Sequence, residues 1–166
     1  MSLDLQRWRE RLTHGSRLLS WLPLLVTRIC LGGLFLSTGW GKVHDLGKVA
    51  RFFTELGIPA PAFNAALVGY SELICGALLL VGLASRFATI PLLTTMIVAL
   101  ATAKQSELHG ITDLFGQVEF TYSCMLLVVM VLGPGAASVD GIIARTVDSS
   151  RDKREGGADL DHAYAR

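Results

Sequence analysis

The chain has 166 residues, room for one domain, with 51% hydrophobic side chains, a mean hydropathy of +0.48 and a formal net charge of +1. That hydropathy exceeds what a water-soluble domain of this size carries, so lipid is the expected solvent. The near-zero charge, with no basic stretch interleaved with aromatics, argues against nucleic acid as a partner.

Residues 1–17 are polar and basic, with Leu5, Trp8 and Leu12 at helical spacing. Two readings fit them, an interfacial helix lying on the membrane and a solvated tail. From about residue 18 to 40 the chain is apolar except for Arg28, long enough to cross a hydrocarbon core of about 30 Å. Three further spans follow, over about 63–83, 87–103 and 114–132, interrupted by Glu72 in the second span and Glu119 early in the fourth. Between the first two spans, Val49, Phe52, Phe53 and Leu56 fall at i, i+3, i+4 and i+7, the pattern of a short amphipathic helix ended by Gly57 and Pro59. The expected fold is all-α. It is an integral membrane four-helix bundle over residues 18–142, with that short helix lying on the outer surface as a lid. Residues 143–166 read as a flexible cytoplasmic tail.

Orientation follows from the basic flanks, because Lys and Arg beside a span resist translocation. Arg7, Arg9, Arg11, Arg17, Arg86, Arg145, Arg151, Lys153, Arg154 and Arg166 fall on one side, against Lys42, Lys48, Arg51 and Lys104 on the other. The expectation is a multi-pass protein of the bacterial inner membrane with both termini in the cytoplasm.

Charges inside the bilayer carry most of the functional information, since each costs about 3 kcal/mol on insertion scales unless it is partnered. Counting residues inward from the span ends places Arg28 and Glu72 at similar depth, so they are expected to face each other as an interior polar pair. Such a pair serves as a register-fixing ion pair, as a functional polar site, or as both. Gly32, Gly69 and Gly76 accompany these charges, and Gly33, Ser37 and Gly41 make a ridge of small residues suited to close helix approach. Thr95, Ala99 and Thr102 form a faintly polar stripe that either lines the interior or bonds back to its own helix.

A second cluster is expected at the outer mouth, from Lys42, His44, Lys104, Glu107, His109 and Glu119. Mixed acid, base and imidazole at the mouth of an apolar cavity suits a quinone, whose electron transfer is accompanied by proton transfer. The alternative is a set of ordinary interfacial charges bonding water and headgroups. His44 and His109 lack a third ligand, so no metal is expected. Cys30, Cys75 and Cys124 show no Cys-x-x-Cys spacing and read as small buried hydrophobes.

The order and spacing of several pieces add a family resemblance. They are Arg28, Leu31, Gly32, Phe35, Gly39 and Lys42; Phe52, Gly57, Ile58 and Pro59; Glu72, Gly76, Leu79, Gly82 and Arg86; Met96 and Ala99; His109 and Gly110; Glu119; and the closing Gly133, Pro134, Gly135, Ser138 and Asp140. Over about residues 24–140 the chain resembles the DoxX family of small bacterial membrane proteins. The resemblance implies a four-helix oxidoreductase subunit, with relatives linked to thiosulfate:quinone oxidation and to membrane complexes that manage oxidative stress. It also implies that partner subunits carry the redox cofactors, in keeping with the lack of haem, flavin or iron-sulfur motifs here. The expected function is a quinone-linked subunit of a membrane oxidoreductase system, with no covalently bound cofactor. In that reading Arg28 and Glu72 organise the interior, and His109 and Glu119 handle protons. The rival is a non-catalytic small-solute transporter or membrane-complex assembly factor.

Overall fold

In a computed structural model of the chain, residues 21–146 are described, apart from His109, Ala136 and Ala144. The expected interfacial segment at 1–17 and the tail beyond residue 146 lie outside this range. Every regular element among the described residues is helical.

Helix α1 runs Leu22–His44, with Pro23 in its first turn where a missing N–H costs nothing. Asp45 then stops α1 and caps α2 (Leu46–Glu55), its carboxylate accepting the Lys48 N–H at 3.0 Å. Gly57, at φ +70°, turns the chain out of α2 and Pro61 opens α3 (Pro61–Val81). Gly82, at φ +79°, and Ala84, at φ +48°, make the tight turn into α4 (Ser85–Thr102). A short 3₁₀ turn at Gln105–Glu107 leads to α5 (Ile111–Gly116) and α6 (Val118–Leu132).

Three of these helices, α1, α3 and α4, are long and apolar enough to cross a membrane. The fourth expected span is divided, because Gln117 is extended, at ψ 131°, and separates α5 from the 15 residues of α6. Helix α6 is about 22 Å long at 1.5 Å per residue, and α5 is tied to it by an edge-on contact of Phe115 and Phe120 at 5.4 Å.

Helix α1 packs chiefly on α3, and α4 on α6, with α3 joining the two pairs. The core between them holds Leu31, Phe35, Leu79, Leu92, Leu126 and Val129. The outer surface is equally apolar: Phe87 is 77% and Val131 69% exposed, and Phe63, Ile74 and Ile97 also face outward. A surface of this composition calls for lipid acyl chains against it. Two of the cysteines, Cys30 and Cys124, lie on that exposed face and only Cys75 is half-buried, which corrects the expectation that all three are interior.

The α1–α3 interface is built on glycine. A Cβ at Gly32 would lie 2.7 Å from Leu80 N, one at Gly76 would lie 2.6 Å from Leu36 N, and one at Gly39 would overlap the backbone at Leu73. The two backbones therefore approach as closely as small residues permit. The ridge of Gly33 and Gly41 does not take part, since a Cβ at either would meet nothing within 4 Å. The packing stripe is the neighbouring one, displaced by one residue around the helix.

Candidate functional site

The glycine contacts fix the antiparallel register of α1 against α3: Gly32 opposes Leu80, Leu36 opposes Gly76 and Gly39 opposes Leu73. Continuing it puts Glu72 level with Trp40 and Arg28 level with the turn after α3. The two charges therefore sit about 18 Å apart along the bundle, twelve residues at 1.5 Å each. The expected Arg28–Glu72 pair does not form. Counting inward from the sequence ends failed because the two helices are not level: in this register Val81, the end of α3, lies opposite Leu31, nine residues past the start of α1, so α3 is staggered along α1.

Arg28, fully buried, finds carbonyls instead. Its Nε donates to Leu79 O at 3.1 Å and Nη2 to Leu80 O at 3.3 Å, while Nη1 donates to Pro134 O at 2.7 Å and Ala137 O at 3.0 Å. Leu79 and Leu80 lie in the last turn of α3, where carbonyls have no intrahelical donor, and a cation there is also favoured by the helix dipole. Asp140 completes the assembly: its carboxylate accepts the N–H groups of Ala84 and Ser85 at 3.0 and 3.3 Å, and its own N–H donates to Gly82 O at 3.1 Å. One guanidinium and one carboxylate thus tie the end of α3, the start of α4 and the segment after α6 together. This is a structural clasp, packed too tightly for a ligand: a Cβ at Gly82 would overlap the Arg28 guanidinium.

Glu72 takes a different cation. Lys42 Nζ lies 2.5 Å from its Oε1, and Thr38 Oγ1 donates to Oε2 at 3.0 Å. Thr38 and Lys42 are one turn apart on α1, so both reach the same carboxylate. Glu72 itself is 1% exposed whereas Lys42 is 31% exposed, so the ammonium forms the accessible side of the pair.

That pair lies on the wall of a partly open cavity of about 960 Å³. Helix α2 roofs it with Val49, Phe52, Phe53 and Leu56, and α3 supplies Leu67 and Val68. Helix α4 provides the opposite wall with Pro91, Thr95, Met96, Val98, Ala99 and Thr102. The α4 threonines bond back to their own helix, Thr95 to Leu92 O and Thr102 to Val98 O, so they present methyl groups. The expected stripe thus both lines the interior and satisfies itself. Asp45 and Lys48 also line it, and a largely apolar cavity with a few charged groups, among them the buried Glu72 held by Lys42, is the general form of a small-molecule site.

The other expected mouth residues do not converge on it. His44 is exposed, its Nδ1 at 2.8 Å from Trp40 O and its ring 4.4 Å from the Trp40 ring. Lys104 and Glu107 pair with each other at 2.9 Å, and Gln117 donates to Glu107 at 3.2 Å. The bonds from Lys104 and then Gln117 hold the Glu107 carboxyl below its ordinary range, and the bond to Glu107 raises Lys104. Glu119, half-buried in the first turn of α6, contributes to the field at Lys104 and not to the cavity wall. His109 lies outside the described residues. Among the described residues no three His, Cys, Asp or Glu side chains come together as metal ligands.

What sequence reasoning missed was the Lys42–Thr38–Glu72 contact. Its signal was the Thr38/Lys42 spacing on the cavity-facing side of α1, masked because a lysine near a span end usually snorkels outward.

Comparison with known proteins agrees with this architecture. The chain is 35% identical over 130 residues to the uncharacterized membrane protein Rv3486 of Mycobacterium tuberculosis, covering 70% of this chain and 78% of that one. It is 26% identical over 120 residues to the inner membrane protein YqjF of Escherichia coli, covering 72% and 91%. A Bacillus subtilis protein named "Putative oxidoreductase CatD" is 30% identical over 102 residues, covering 61% and 71%. No solved structure matches the chain. Residues 23–105, which include α1, the α2 roof, Glu72 and all of α4, match the family model DoxX, and the chain belongs to the DoxX family of membrane proteins.

Proposed function

We propose that this protein is a quinone-binding subunit of a membrane oxidoreductase system, seated in the bacterial inner membrane with both termini in the cytoplasm. The observation that carries the proposal is the buried Glu72 carboxylate, held by Lys42 and Thr38 on the wall of a largely apolar cavity. An uncharged ring with two oxygen atoms fits such walls, and a quinone supplies two-electron, two-proton redox chemistry when bound. Lys42 would hold one ring oxygen, since its ammonium has three donors and only one is engaged with Glu72. Glu72 keeps that ammonium aimed, and Thr38 fixes the carboxylate. In this reading the pair handles protons at the cavity, while Glu119 lies off its wall and His109 lies outside the described residues. Electrons come from a partner redox subunit, a role consistent with the name of the Bacillus subtilis relative.

The test is equilibrium binding of a ring-only quinone to the purified protein in detergent, with circular dichroism as a folding check. Lys42→Met and Glu72→Gln should each weaken binding at least about tenfold, equivalent to about 1.4 kcal/mol. Wild-type protein that binds no quinone, or variants that bind it unchanged, would refute the reading.

A further inference from the structure

The cavity is open in an unusual direction. Helix α2 packs on α3 and α1 and makes no comparable contact with α4, although both line the cavity. Phe52 of α2 and Val98 of α4 each have one side on the cavity, yet they are 47% and 44% exposed. Their free sides face the surroundings of the bundle, which at this depth are acyl chains. Glu72 is the twelfth residue of α3, about 16 Å below the start of that helix. Between the start of α3 and that carboxylate the cavity wall is mixed, Asn64 and Ser71 with Leu67 and Val68, and Asp45 and Lys48 also line the cavity. The lips at the side, Phe52 and Val98, are apolar, and a polar solute entering between them would have to shed its water. A lipid-soluble molecule meets no such barrier at the side.

From this geometry we infer that the ligand is a tailed amphiphile that enters sideways from the bilayer, its polar head reaching Lys42 and its apolar tail leaving through the slot between Phe52 and Val98. The inference rests on the quinone reading and narrows it to a ring carrying a hydrocarbon chain. The tail gains little transfer energy, because it passes from lipid to a lipid-facing slot. What it needs is an unobstructed exit. Blocking the slot must therefore penalise tailed ligands and spare compact ones.

The experiment compares a ring-only quinone with the same ring bearing a ten-carbon tail, in wild type, Val98→Trp and Ile97→Trp. Ile97 is 53% exposed and lies off the cavity wall, so it controls for an added indole on the same helix. Val98→Trp should weaken the tailed quinone at least about tenfold more than it weakens the ring-only quinone, while Ile97→Trp changes neither. Phe52→Trp should repeat the selective loss from the other lip. Equal affinities for both quinones in Val98→Trp, or equal losses of both, would overturn the lateral slot. Failure of wild type to bind the ring-only quinone would instead count against the quinone reading itself.

Discussion

Replacing Arg28 with Leu removes four donated hydrogen bonds and strands two last-turn carbonyls of α3 in an apolar interior. Polar interactions inside bilayers are worth about 0.6 kcal/mol each on average and up to about 1.7, so four of them span about 2 to 7 kcal/mol. Leu needs no desolvation on burial, which moves the expectation to the lower half, about 3 kcal/mol. Against a net stability of about 5 to 15 kcal/mol, that is a large fraction. Equilibrium unfolding in mixed micelles with SDS, followed by the fluorescence of Trp21 and Trp40, measures it. The informative variant is the double substitution, Arg28→Leu with Glu72→Leu. Since the two residues share no partner and sit about 18 Å apart, their effects should add within about 0.5 kcal/mol. A double variant more stable than Arg28→Leu alone by more than that margin would refute the register and restore direct pairing. Arg28→Lys should fall between, because a single ammonium cannot reach all four carbonyls.

Gly39→Ala should destabilise by about 1 to 3 kcal/mol in the same assay, because its methyl would press on the backbone of Leu73 and Glu72 and force α1 away from α3. Gly33→Ala, facing open space, should change stability by less than about 0.5 kcal/mol. The turn after α4 should loosen on acidification. Glu107 has a folded-state pKa below its unfolded one, so its contribution is present above the unfolded value and lost as pH falls through the folded one. Hydrogen exchange at residues 104–108 should rise over that acid range in wild type and become pH-independent in Glu107→Gln, after correction for intrinsic exchange rates. Pairing with Lys104 fades oppositely, as pH climbs through that lysine's raised value.

Long apolar runs broken by single charges were enough to read a helical membrane bundle, because hydrocarbon admits few alternatives to a helix. The amphipathic α2 was legible for a related reason: Val49, Phe52, Phe53 and Leu56 share one face whatever lies beneath it. The Gly57 turn was similarly local, set by one residue that tolerates positive φ. Which charge meets which was not local. Arg28 and Glu72 each required a partner, but hydropathy varies too smoothly along a span to set axial register. Register came from Gly32, Gly39 and Gly76 meeting backbone across the α1–α3 contact, and it lies about twelve residues from the one that would set Arg28 against Glu72. The same contact turned Lys42 inward to Glu72 and left His44, Lys104 and Glu107 outside the cavity. Solvent preference and turn chemistry are properties of the chain read one segment at a time. The cavity and its charged pair exist only once two helices have settled against each other at van der Waals distance.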